Sequence, residues 1–135
     1  MQDKEDAFME SISKIISQPN CSVFPSVKYN EIVSALIDAE QSGKVQGEVY
    51  NWIRRYEVRL MGNQQVLFRR YGKRLATLEE TFSIIHDCHI KTGHGGRDIM
   101  YKEISDTYQN LTGGIFIVYL LLCKECALKK TVINY

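Results

Sequence analysis

Two histidines and two cysteines set the terms for the C-terminal half of this chain. His89 and His94 stand with four residues between them, 28 residues follow, and Cys123 and Cys126 close the set with two residues between them. Two thiolates at this spacing can clamp one ion, and two imidazoles near a helix end can complete a tetrahedron around a borderline-soft metal such as Zn2+. The order is the reverse of the cysteine-first zinc finger. The intervening stretch is long enough for two short helices that fold back on the site. Four protein ligands leave no open position for a substrate, so such a metal supplies folding free energy, roughly 10–16 kcal/mol of apparent binding in small zinc domains.

Each ligand candidate has a competing reading. Cys123 and Cys126 could be buried thiols or a redox pair, but a redox pair at this spacing normally opens a helix beside a βαβ unit, and no such pattern surrounds them. His94 lies between Gly93 and Gly95, in a loop that permits unusual backbone angles. His86 and His89 compete for the remaining place. His89 continues the stripe of Phe82 and Ile85 and is preferred, whereas His86 is rotated off it. Cys88 reads as a core thiol or a substitute ligand, and Cys21 as a buried or half-exposed thiol.

The remaining pattern is helical with one interruption. Phe8, Ile12, Ile15 and Ile16 predict an amphipathic helix over 3–17, stopped by Pro19. Tyr29, Ile32, Val33, Leu36 and Ile37 predict a second from about Lys28 to Gln41, ended by Gly43. A short third helix over 48–56 carries Val49, Trp52 and Ile53 inward. Tyr56, Val58 and Leu60 then alternate with Glu57, Arg59 and Met61. With the Gly62-Asn63 turn signal and the apolar run Val66-Leu67-Phe68, this predicts a β-hairpin and a short third strand. Thr77 and Glu80 form a capping box for a helix holding Leu78, Phe82, Ile85 and His89 on one face. Further helices are expected from Arg97 to about Tyr108 and, capped by Asn110 or Thr112, through Leu122. The expected fold is mainly α: a zinc-stabilised small helical bundle over 76–135, preceded by a helical extension with a β-hairpin over 1–75.

The chain of 135 residues carries a net charge of +1 that is unevenly spread. Residues 1–50 hold 4 Lys/Arg against 8 Asp/Glu, residues 51–75 hold 7 against 1, and residues 76–135 hold 6 against 7. The basic block consists of Arg54, Arg55, Arg59, Arg69, Arg70, Lys73 and Arg74, with Tyr56, Phe68 and Tyr71 interleaved. It reads either as an anion-facing surface or as a solubilising face. The longest apolar run, Ile115 to Leu122, is too short to span a membrane. The acidic, polar N-terminus does not read as a signal peptide. A reducing compartment is therefore expected, and the sequons at Asn20 and Asn110 are read as chance.

The stretch HDCHIKTGHGGRDIM (86–100) followed by CKEC (123–126) resembles the HHCC zinc-binding domain of retroviral and retrotransposon integrases, and of transposon-derived host proteins. The phrase Gly93-His94-Gly95-Gly96-Arg97-Asp98 carries most of the likeness, which covers about residues 77–130. The hairpin and Leu75-Ala76-Thr77-Leu78-Glu79-Glu80-Thr81 look like the extension preceding this domain in gypsy-like integrases. The resemblance implies a small helical bundle tied by zinc through His89, His94, Cys123 and Cys126. It also implies roles in multimerisation and in holding DNA ends. Two departures stand out: Tyr108-Gln109-Asn110 where the family often has aromatics, and an unusually apolar, glycine-started last helix.

An integrase catalytic core is a separate domain with three magnesium-binding carboxylates, and the nine residues after Cys126 give it no room. The expectation is therefore a non-catalytic, nuclear, DNA-binding or multimerising module, possible as a homodimer, with no small-molecule substrate. A protein-interaction module without DNA binding is the alternative, suggested by the apolar Ile115–Leu122 helix. A zinc hydrolase would need an open metal position and a general base, for which Asp87 and Asp98 are candidates on spacing alone.

Overall fold

A computed structural model describes residues 2–17 and 23–123 of the chain. Its element order is α1 (Gln2–Ile16), α2 (Ser26–Ser42), α3 (Glu48–Arg55), β1 (Tyr56–Met61), β2 (Gln64–Arg69), α4 (Leu78–Lys91), α5 (Arg97–Ser105) and α6 (Gly113–Leu122). Among the described residues the fold is mainly helical with one two-stranded antiparallel hairpin, as the hydrophobic periodicities predict. Among the described residues no helix is long and apolar enough to cross a membrane.

Local signals account for most element ends. Thr77 Oγ1 accepts the Glu80 amide at 3.3 Å while the Glu80 carboxylate accepts the Thr77 amide at 2.8 Å, so the capping box opens α4. Gly43 ends α2 in the left-handed region (φ 72°) and donates its amide to Ala39. Gly62 takes φ 61° at the first central position of the two-residue hairpin turn, where a type II′ turn requires a residue without Cβ.

Other ends depend on tertiary contacts. Helix α2 begins two residues earlier than its apolar stripe suggests, because Glu79 of α4 supplies the cap: its carboxylate accepts the Ser26 amide at 2.7 Å and the Ser26 hydroxyl at 3.0 Å. A carboxylate at a helix N-terminus satisfies orphan amides and complements the helix dipole. The adjacent segment is tied to the same place, since Phe24 forms a parallel bridge with Thr77 and accepts the Leu78 amide at 2.7 Å. Helix α5 stops at Ser105, short of Tyr108. The third strand reduces to a bridge between Phe68 and Arg74.

Two apolar clusters result. One gathers Phe8 and Ile12 of α1 with Phe82 and Ile85 of α4, Met100 and Ile104 of α5, and Ile115, Phe116 and Tyr119 of α6. The other gathers Tyr29, Ile32 and Leu36 of α2 with Trp52, Tyr56, Leu67 and Leu75. Helix α1 thus packs with the C-terminal helices, although in sequence it belongs to the N-terminal extension. Buried Asn110 links the segment before α4 to the bundle rather than capping α6: its Oδ1 accepts the Ala76 amide at 2.9 Å and its Nδ2 donates to the Ala76 carbonyl at 2.8 Å. Thr112 occupies the cap position of α6 without a side-chain hydrogen bond. One face of α6 fills the bundle, while Ile117 and Leu121 remain 43% and 64% exposed.

Candidate metal centre

The last turn of α4 delivers His89 into the bundle, where its side chain is fully buried. The loop after α4 then doubles back. Gly93 and His94 both adopt the left-handed region, at φ 66° and 63°, a conformation that costs a residue bearing a Cβ about 1–2 kcal/mol. That turn is held by the His94 amide donating to the His89 carbonyl at 2.8 Å. It brings the His94 ring edge-on to His89, with centroids 4.6 Å apart. Cys123, buried at the end of α6, lies within reach of both rings.

Three ligand atoms converge as a result. His94 Nδ1 lies 3.0 Å from His89 Nε2, His89 Nε2 lies 3.3 Å from Cys123 Sγ, and Cys123 Sγ lies 3.5 Å from His94 Nδ1. A triangle of two nitrogens and one sulfur at these separations could hold a metal ion. Cys126 lies outside the described residues, as does Cys21.

The surroundings prepare His89 as a ligand. Its Nδ1 is 3.0 Å from the Gly95 carbonyl, an acceptor only, so Nδ1 carries the proton and Nε2 presents its lone pair to the centre. Burial pushes the His89 imidazole below its usual range, which outweighs the opposing effect of the Gly95 hydrogen bond and keeps the ring neutral. Gly95 is confined on its other side: a Cβ there would sit 2.6 Å from Thr92 Oγ1 and 2.9 Å from Ile99 Cγ2. Thr92 Oγ1 donates to the Cys88 carbonyl at 2.8 Å and accepts the Gly95 amide at 3.2 Å, so it fastens the loop to the helix end.

His86 has different company. Its ring stacks on Phe82 at 5.5 Å and 11°, and its Nδ1 lies 2.7 Å from the Tyr119 hydroxyl. Tyr119 itself packs edge-on against His89 at 5.1 Å and receives a hydrogen bond from Lys4 at 3.3 Å. Tyr119, Lys4, Thr92 and the Gly95 carbonyl were not legible as site residues. The apolar periods of α1 and α6 marked a buried face on each helix without saying what covers it. Cys88 is buried with Sγ 3.9 Å from the Met100 carbonyl, outside the triangle, and burial raises its thiol. Asp87 and Asp98 are exposed and also lie outside it.

The basic block is divided by the fold. Arg70 turns inward, Nε donating to the Ile53 carbonyl at 2.8 Å and Nη2 to the Tyr56 carbonyl at 3.2 Å. Lys73 donates to the Ser105 carbonyl at 2.7 Å, and Arg74 stacks on Tyr108 at 5.1 Å. Arg59 lies over Phe68 at 4.3 Å and pairs with Glu57 at 2.8 Å. Arg54, Arg55 and Arg69 are exposed. The register pairs Arg59 with Val66 and Arg69 with Tyr56, which puts Arg59 and Arg69 on opposite faces of the hairpin.

No family model matches the chain, and no solved structure matches it. It is similar to human KRAB-A domain-containing protein 2, at 31% identity over 140 residues covering 98% of this chain and 28% of that protein. It is also similar to Nucleolar protein 4 of mouse, at 28% identity over 130 residues covering 73% of this chain and 27% of that protein. For human Nucleolar protein 4 the match is 34% over 62 residues, 40% of this chain and 10% of that protein. The chain therefore spans under a third of the length of each of these relatives. Their names refer neither to an integrase nor to a metal.

Proposed function

We propose that His89, His94, Cys123 and Cys126 hold one structural Zn2+, and that the chain is a non-catalytic, integrase-type zinc module serving DNA binding, multimerisation or both in the nucleus. The observation that carries this reading is the triangle of 3.0, 3.3 and 3.5 Å. Tetrahedral zinc with Zn–N near 2.05 Å and Zn–S near 2.3 Å requires N···N of about 3.4 Å and N···S of about 3.6 Å. The three atoms therefore need to move apart by only a few tenths of an ångström to admit the ion. Cys126, three residues beyond Cys123, supplies the fourth corner at the spacing zinc thiolate pairs use.

Four protein ligands close the coordination sphere, and neither Asp87 nor Asp98 approaches the triangle to act as a base. Both points support a structural rather than a hydrolytic metal. The name Nucleolar protein 4 carried by two relatives supports a nuclear setting. The exposed guanidinium groups of Arg54, Arg55 and Arg69 are the side chains offered to phosphate, whereas Arg59 is already paired with Glu57. Arg70, Lys73 and Arg74 are partly committed to holding the fold. Exposed Ile117 and Leu121 favour, as a second reading, a protein-interaction role without DNA.

The test is a thermal melt of the full chain before and after exhaustive phenanthroline treatment, followed by zinc add-back. A structural metal predicts a large, zinc-reversible fall in melting temperature. An unchanged melt removes the zinc reading and with it the integrase kinship.

A further inference from the structure

The outer edge of β1 is open at Val58 and Leu60. On β2, Leu67 and Arg69 direct their main-chain groups away from β1: the Leu67 carbonyl accepts from Leu75, the Leu67 amide donates to the Tyr29 hydroxyl, and the Arg69 amide donates to Lys73. The ladder bonds between the strands therefore fall at Glu57 with Phe68, Arg59 with Val66 and Met61 with Gln64. Tyr56, Val58 and Leu60 consequently direct their amides and carbonyls outward. Tyr56 uses both groups, donating to the Trp52 carbonyl and accepting from Arg70. Among the described residues nothing takes up the outward groups of Val58 or Leu60.

The side chains along this edge are self-complementary. Tyr56-Glu57-Val58-Arg59-Leu60 reads apolar, negative, apolar, positive, apolar from either end once the charges are exchanged. Leu60 is 67% exposed. On the same face, Val58 two residues away and Tyr56 four residues away line a groove of about 410 Å³ with Leu36, Ile37 and Ile53, rimmed by Glu40, Glu57 and Arg70.

We propose that a second copy of this chain pairs with β1 edge to edge, antiparallel about a two-fold axis at Val58. That axis sets the two Val58 residues opposite each other, where they exchange two main-chain hydrogen bonds. It sets Glu57 of each copy opposite Arg59 of the partner subunit, joining the two existing 2.8 Å pairs into a four-charge cluster. Beyond the end of this short ladder it brings each exposed Leu60 to the mouth of the groove beside Tyr56 of the partner subunit. One surface thereby supplies both halves of a closed, isologous contact. The hydrogen-bonded ladder is short because Tyr56 has no main-chain group left to give. The interface belongs to the small, weak class, with dissociation on the order of 10–100 µM. This inference names a surface for the multimerisation in the proposed function and does not depend on the metal.

The test is sedimentation of the zinc-loaded full chain across that concentration range, with metal content measured on the same samples. The native chain is expected to dimerise reversibly. Arg59→Glu and Glu57→Arg each place like charges opposite one another and are expected to raise the dissociation constant at least about tenfold. Mixed in equal amounts, the two variants restore opposite charges at both positions and are expected to form a heterodimer. Circular dichroism of each variant reports that its helices are intact. A native chain that stays monomeric overturns the pairing, as do single variants that dimerise like the native chain or a mixture that stays monomeric. A monomer that retains its metal overturns the pairing alone, and a dimer without metal overturns the zinc site alone.

Discussion

Gly95 and Gly96 are adjacent and indistinguishable in the sequence, yet they sit in opposite circumstances. A methyl group at Gly95 would lie 2.6 Å from Thr92 Oγ1 and 2.9 Å from Ile99 Cγ2, whereas one at Gly96 meets nothing within 4 Å. Overpacking of this kind costs about 1–3 kcal/mol. In a chain of this length that lowers the melting temperature by roughly 3–9 °C. Relief requires the loop to lift, and the Gly95 carbonyl that orients His89 lifts with it. Loss of such an outer partner weakens metal binding by about 10–100-fold. Gly95→Ala is therefore expected to melt several degrees lower and to surrender its metal to a chromophoric chelator at least tenfold more readily. Gly96→Ala is expected to match the native chain within about 0.5 kcal/mol. Calorimetry and chelator competition on both variants measure the contrast. Equal behaviour of the two, or an unchanged Gly95→Ala, would refute the claim that the Gly95 backbone holds His89 in place.

Other expectations follow from the same geometry. Asn110→Ala strips two hydrogen bonds from the buried Ala76 backbone and should destabilise the chain by about 2–4 kcal/mol, read by urea denaturation. If exposed Arg54, Arg55 and Arg69 alone meet phosphate, DNA affinity should fall with a log–log salt slope near −2.7, about 40-fold between 50 and 200 mM. Engagement of all seven basic residues would instead give a slope near −6.3, so a salt titration decides between the two counts. Metal retention should be full near neutrality and fall below about pH 6, because protons compete for thiolate and imidazole. Lowering of the His89 imidazole by burial makes it yield to protons later than an exposed histidine. Release that begins on the alkaline side would contradict the ligand set.

What the sequence disclosed was local. The capping box of Thr77 and Glu80, the Gly62-Asn63 turn and the apolar periods of α2 and α4 each encode a hydrogen bond or a face within a few residues. They appear where the pattern puts them. His89 was separable from His86 because the helix period alone distinguishes a residue in line with Ile85 and Phe82 from one turned off that line. Long-range partners were not legible. Nothing in Phe8 or Ile12 says that α1 packs on α6, and nothing in Glu79 says that it caps α2, 53 residues back. The basic block illustrates the same limit. Charge composition gave seven equivalent candidates, but the backbone carbonyls of Ile53, Tyr56 and Ser105 claim Arg70 and Lys73. Leu60 shares the alternation of Tyr56 and Val58, yet the strand runs past the end of the core and leaves it bare.

Metal content by native mass spectrometry of the full chain and of His89→Ala and His86→Ala bears most directly on the zinc centre. The native chain is expected to carry one zinc ion, His89→Ala to lose it, and His86→Ala, whose ring serves Phe82 and Tyr119 instead, to retain it. A native chain without metal, or loss of zinc in His86→Ala with retention in His89→Ala, would contradict the zinc assignment.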